Sequence, residues 1–161
     1  MILPLLVLPA LLSHAPLPSV AGTWKLASAP DLADGIRRAT AGLPNGEQSR
    51  MQARLQSVNP IYRELLVKTE GPSLTVAFDQ RHPLVMLAGE TRTWTREDGQ
   101  TFFVTAHLDG QRLVQTIKSG DGTRVNEFVP GGDGRSLTLL VTITSHEVPG
   151  VLRYRMLYTA Q

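Results

Sequence analysis

A chain of 161 residues has room for one domain and too little for two. It is 42% hydrophobic and 19% charged, enough to bury a core and unlike a disordered tail. The formal charge of +2 is too small and too evenly spread to mark a nucleic-acid surface, and the lack of cysteine excludes disulfide frameworks, thiol nucleophiles and thiolate metal sites. Four scattered histidines give no metal-ligand spacing, so neither a metal nor a cofactor is expected.

Residues Ile2 to Leu12 form an apolar run too short to cross a bilayer as a helix. Ser13-His14-Ala15, a small-x-small pattern, and Pro16-Leu17-Pro18-Ser19 follow it. This is the layout of a secretory signal. It predicts a signal peptide over 1–15 and a secreted or periplasmic domain over 20–161; the plainer reading is an uncleaved hydrophobic arm. No second stretch approaches membrane length, so no stable membrane span is expected.

Gly22-Thr23-Trp24-Lys25-Leu26 predicts a first strand with Trp24 and Leu26 on one face. Asp31 stands where it can cap a helix carrying Leu32 and Ile36 on one side, and Gly42, Pro44, Asn45 and Gly46 break that helix. A second helix aligns Met51, Leu55 and Val58 and stops at Asn59-Pro60. Each helix has a narrow apolar stripe and a polar back, as suits a lid resting on something larger.

From Ile61 onward, short β-rich runs alternate with turn residues. Strands are predicted over 62–69, 73–79, 83–88, 90–96, 101–108, 111–118, 122–129, 136–145 and 151–159. Glu70-Gly71-Pro72, Asp98-Gly99, Asp109-Gly110, Asp121-Gly122 and Gly131-Gly132-Asp133-Gly134 supply the turns. Tight turns join antiparallel neighbours, and a meander this long removes its edges by curling shut. The predicted fold is therefore mainly β: a closed antiparallel up-and-down barrel of about ten strands, with a two-helix lid between strands one and two.

Alternation along the strands separates inside from outside. Leu137, Leu139, Val141 and Ile143 oppose threonines and should face inward, as should Phe102, Val104, Ala106 and Leu108. Leu113, Gln115 and Ile117 share a face. If Phe128 points in, Asn126 follows it, with Arg124 in the same set. The last strand offers either Arg153, Arg155 and Leu157 or Leu152, Tyr154, Met156 and Tyr158, and periodicity does not choose between them. An interior mixing aliphatic, aromatic and a few polar residues suits a cavity for an apolar ligand with a polar head.

The order of features resembles the intracellular lipid-binding proteins, the fatty-acid-binding branch of the calycin superfamily, and more loosely the lipocalins. The resemblance covers residues 21–159 and is carried by G-T-W-K-L at 22–26, L-L-V-K-T-E-G-P-S-L-T-V at 65–76, D-G-Q-T-F-F-V at 98–104, L-D-G-Q-R-L-V-Q at 108–115 and D-G-T-R-V-N-E-F at 121–128. It implies a ten-stranded barrel, a helical portal lid and a fatty acid or similar molecule inside. It also implies that Trp94 and Arg92 face inward. Family members usually hold a carboxylate with an interior Arg and an Arg-x-Tyr pair on the last strand. Here the first position matches Asn126, and the last strand reads Arg153-Tyr154-Arg155 with Leu157 beyond. The anion site departs from the family pattern.

Taken together, these readings predict a monomeric non-enzyme that binds a small hydrophobic or amphipathic ligand without covalent chemistry. The candidate ligand-binding residues are Trp94, Arg92, Phe102, Gln115, Asn126, Arg153, Arg155 and Ile36. Arg92, Arg153 or Arg155 would orient a polar end, while Gln115 and Asn126 would bond each other, water or the ligand. Ile36 would pack beneath the lid or meet the ligand at the portal. Trp24 is read as a plug closing one end, with Arg153 or Arg155 stacked on it. The segment Asp31 to Pro60 would be the least protected from hydrogen exchange. No Ser–His–Asp order, phosphate loop or inward acid pair supports catalysis. The rival function is an exported protein-interaction or inhibitor barrel with a filled interior.

Overall fold

The computed structural model describes residues 19–81, 83–96 and 99–161. The predicted leader over 1–15, His82 and the Asp98 half of one predicted turn lie outside the described residues. In chain order the elements are β1 (Gly22–Ser28), α1 (Leu32–Ala39), α2 (Asn45–Val58), β2 (Glu64–Glu70), β3 (Ser73–Phe78), β4 (Leu84–Leu87), β5 (Thr91–Thr95), β6 (Thr101–Asp109), β7 (Arg112–Lys118), β8 (Gly122–Pro130), β9 (Ser136–Ser145) and β10 (Leu152–Ala160). All ten strands form one antiparallel sheet in the order β4-β3-β2-β1-β10-β9-β8-β7-β6-β5. Chain neighbours pair except at β4 and β5, and β1 joins β10.

The sheet forms the nearly closed antiparallel barrel expected from the sequence, with one seam between β4 and β5. The reason is local. Ala88 N–H donates to Pro72 O at 2.8 Å and Gly89 N–H to Ala106 O at 2.7 Å, so the β4–β5 connection is tied to its neighbours and the two strands stay apart. The Arg92 guanidinium reaches across the seam to Val85 O.

Strand ends differ from expectation by one or two residues. At the start of the β3–β4 connection, beside the first residue of β2, Asp79 and Gln80 adopt φ of 49° and 56°, a region that costs non-glycine residues. Asp79 Oδ1 accepts from Arg63 N–H at 2.6 Å and Glu64 N–H at 2.9 Å. These bonds hold the corner, so β3 ends at Phe78 and β2 starts at Glu64.

Asp31 caps α1 by accepting from Asp34 N–H at 3.2 Å. Leu32, Gly35, Ile36 and Ala39 are buried. Two glycines allow the close contact. A Cβ on Gly35 would lie 3.1 Å from Leu152 Cδ1, and one on Gly150 would lie 2.9 Å from both Cα and O of Ala39. Gly150 N–H also donates to Ala39 O at 2.9 Å, anchoring α1 on the β9–β10 connection. α2 rests more lightly. Leu55 is its buried residue, Met51 is partly buried, and Val58 is 47% exposed. The predicted three-residue stripe is thus shortened by its last member. Asn59 turns inward at that end, 3% exposed, and donates to Leu55 O at 2.8 Å.

The opposite end of the barrel is closed by Trp24, 2% exposed, whose Nε1–H donates to Val20 O at 3.0 Å. No arginine stacks on it, because Arg153 and Arg155 lie on the outer face of β10. Gly150→Ala should push α1 off its seat and cost about 1–3 kcal/mol. A urea titration should show a lower midpoint with unchanged slope; an unmoved midpoint would mean that this contact yields freely.

Candidate functional site

The inner face of the barrel has two halves of different character. At the Trp24 end it is filled by its own side chains: Leu113, Phe128, Leu137, Leu139, Met156 and Tyr158 are each 0% exposed. Toward the helices the inner apolar side chains are less covered: Leu26, Phe102, Ile117 and Ile143 are partly buried, and Trp94 is 39% exposed. Cross-strand pairing places these residues. Trp94 sits opposite Phe102, with ring centroids 5.3 Å apart, and Arg96 lies over Phe102 at 5.5 Å.

A polar string crosses the boundary between the halves. Asn126 Nδ2 donates to Gln115 Oε1 at 2.9 Å. Arg124 Nε donates to Asn126 Oδ1 at 2.9 Å, and Arg124 Nη1 to Asn59 Oδ1 at 3.2 Å. Since Asn59 donates in turn to Leu55 O, the string runs from the middle of the barrel to the end of α2. Gln115 and Asn126, each 1% exposed, are opposite one another in the β7–β8 ladder.

The string ends in two buried groups, Arg124 Nη2 and Tyr154 Oη. Tyr154 is 8% exposed, and burial pushes its phenol above the ordinary range, while the nearby Arg124 charge pulls the other way. The two groups lie close enough for the Arg124 guanidinium to act on the phenol through its charge and through hydrogen bonding. Burial raises the Tyr158 phenol as well. Its hydroxyl donates to Tyr62 O at 3.0 Å.

On the rim, Arg54 of α2 pairs with Glu147 and lies 3.6 Å from Asp121. About half its side chain is exposed, so this latch contributes about 1 kcal/mol or less.

The predicted site residues fall in different parts of the barrel. Phe102 and Trp94 share the inner face beneath the helices, and Gln115 and Asn126 lie deeper and bond each other. Arg92 shares that face by register, opposite Val104, but its guanidinium is turned to the seam. Ile36 is 3% exposed and packs between α1 and the barrel. Arg153 and Arg155 correct the expectation of an inward arginine. They pair opposite Thr142 and Leu140 on the outer face and line an external groove of about 470 Å³ with Ser28, Asp31 and Leu157. The pleat allows no other result once Leu152, Tyr154, Met156 and Tyr158 are buried. Three residues at the heart of the site, Arg124, Tyr154 and Asn59, were not among the candidates. Arg124 was signalled by its parity with Phe128 and Tyr154 by the apolar company of its set; Asn59 carried no sequence signal beyond stopping a helix.

No family model and no curated protein matches the chain. Solved structures do. An SAHS (abundant heat soluble) protein from Ramazzottius varieornatus aligns with a TM-score of 0.62 at 12% identity, over 89% of this chain and 96% of that one. The fatty-acid-binding protein of Manduca sexta aligns at 0.55 and 20% identity, over 88% and 100%. A Schistosoma mansoni fatty acid binding protein in complex with arachidonic acid aligns at 0.57 and 18% identity, over 90% and 98%. The chain shares the ten-stranded barrel fold of these structures.

Both inward phenols stay protonated at a pH where those of the unfolded chain, near 10, ionise. The unfolded state then binds fewer protons, so their contribution to stability is complete below pH 10 and is lost as pH rises beyond it. Urea midpoints measured between pH 8 and 11 should fall above pH 10. The fall should be shallower in Tyr154→Phe and Tyr158→Phe; equal slopes in all three proteins would contradict the raised phenols.

Proposed function

We propose that this chain binds a small hydrophobic or amphipathic molecule non-covalently in the helix-capped half of the barrel, as a carrier or store. The observation that supports this best is the asymmetry of the inner face. Apolar side chains that point inward remain partly exposed around Phe102, Ile117, Ile143 and Trp94. A soluble barrel with no use for that surface gains by covering it. An eight-carbon tail laid there would contribute about 6 kcal/mol at ~0.8 kcal/mol per methylene, enough for sub-millimolar affinity after ordering costs. Solved proteins of the same fold include a fatty acid transporter and a fatty acid binding protein holding arachidonic acid, which favours the same class of ligand here. The leader-like segment over 1–15 supports an exported protein, secreted or periplasmic.

A second reading, an exported protein-interaction barrel, draws support from the sealed Trp24 end, where side chains already occupy the volume a long chain would need. Native mass spectrometry separates the two: co-purified lipid favours the carrier, and an empty barrel in complex with a protein favours the alternative.

Titration with an environment-sensitive anilinonaphthalene dye should give saturable binding with quenching of tryptophan emission. Trp94→Ala should weaken it about five- to tenfold, equivalent to ~1–1.4 kcal/mol, whereas Phe103→Ala, on the outer face and 53% exposed, should leave it unchanged. Equal affinity in all three proteins would remove the inner face from the site. Protein recovered from the periplasm or medium after expression with its leader should begin after Ala15; retention of Met1 would overturn the export reading.

A further inference from the structure

We propose that the external groove beside β10 is a docking site for a short, extended, acidic segment of a partner protein, held by Arg153 and Arg155. The groove lies outside the barrel, so its occupancy does not depend on what the interior holds.

The groove opens because two strands part. β1 runs along β10 from Trp24, opposite Ala160, to Ser28, opposite Leu157, and its register slips between Leu26 and Ser28. There the ladder stops. Pro30 has no N–H with which to extend it, and α1 begins at Leu32. The segment 28–31 forms one wall and β10 the other, around a space of about 470 Å³. Backbone direction follows from the far end of the same strand. Gln161 N–H donates to Thr23 O at 3.1 Å, so by alternation the odd-numbered residues of β10 aim N–H and C=O toward the β1 side. Arg155 is one of them. It has a partner in β9, Leu140, and none in β1, so its main-chain donor and acceptor face the gap. The Arg153 carbonyl lies under α1, where a Cβ on Gly35 would stand 3.3 Å from it. The free length of edge is therefore short.

Side chains supply the charge. Arg153 and Arg155 are exposed on one face, about 7 Å apart along the strand. Among the described residues, neither guanidinium lies within ion-pair distance of a carboxylate, whereas Arg37, Arg38, Arg54 and Arg112 each do. The groove's own carboxylate, Asp31, is turned to α1, where it accepts from Asp34 N–H. Glu127, the next acid across the sheet beyond Leu140, is paired with Arg112. Two cations without an answering charge, set at the period of a strand, match carboxylates at alternate positions of an extended chain. Leu157 and Leu140, 42% and 37% exposed, add apolar surface beside them. The main chain decides the class of partner. A peptide unit brings both a donor and an acceptor to meet those of Arg155, whereas a lipid phosphate brings acceptors alone.

The test is fluorescence anisotropy of short dye-labelled peptides titrated with the full barrel. One peptide alternates threonine and glutamate, a second has the same composition with its glutamates adjacent, and a third carries glutamine for glutamate. Wild-type protein should bind the alternating peptide at least about fivefold more tightly than either control. Arg153→Gln and Arg155→Gln should each weaken it about threefold to fivefold, as expected for exposed ion pairs, and the double variant should bring it to the level of the glutamine peptide. Arg135→Gln, which removes an exposed charge from the β8–β9 connection, should change it less than about twofold. Equal binding of the two glutamate peptides, or an equal loss in Arg135→Gln, would reduce the effect to net charge and overturn the site. Binding of phosphatidylserine vesicles that depends on Arg153 and Arg155, without binding of the peptide, would assign the face to a membrane and overturn it as well. If no peptide binds above the glutamine control, the groove is not a docking site.

Discussion

A strand that points Phe128 into a barrel must also point Asn126 and Arg124 there, because the pleat alternates without exception along an unbroken ladder. Phe128 is needed: it fills the closed end beside Leu113 and Leu139, its two cross-strand neighbours. The cost of that packing is an amide and a guanidinium carried into the interior on the same strand. The polar string from Gln115 to Asn59 answers this demand, giving each carried group a partner as far as neutral amides can. What amides cannot supply is a negative charge. The parity of β8 therefore links the filled end, the polar string and the unpaired guanidinium edge as consequences of one constraint.

Most of the fold was legible because its signals are local. Turn residues at 70–72, 109–110 and 121–122 mark the hairpins, and alternation in 136–145 and 101–108 fixes their inner faces. Asp31 at a helix start and Asn59-Pro60 at a helix end bracket the lid. The seam was not legible, since it depends on where Gly89 finds an acceptor: Ala106, seventeen positions away and two strands over. The direction of β10 stayed open for a related reason. Arg153-Tyr154-Arg155 alternates two amphipathic sets, and only the partners across the ladder, Val141 and Leu139 on the inner side, decide which set is buried. Long side chains also blur the pattern. Arg92 stands on the inner face yet reaches the rim with its charged end, as arginine stems allow.

The seam reconciles closure with access. Unpaired strand edges invite association with other chains, and short strands are one defence against it. β4 and β5 have only four and five residues, and the Arg92 side chain occupies the Val85 carbonyl that would otherwise face a partner strand. The barrel thus tolerates an interruption where its sheet is weakest, next to the half whose inner side chains are least covered.

The two helices are anchored unequally. α1 is pinned by four buried residues and by backbone contact at Gly150, so moving it would expose core. α2 buries Leu55 alone, holds the rim through a half-exposed ion-pair latch, and ends on Asn59. Of the two helices α2 is therefore the cheaper to displace. Asn59 serves both sides of that motion. Its amide nitrogen closes the last turn of α2 and its oxygen holds Arg124, so displacing the end of α2 would also free that edge of the guanidinium.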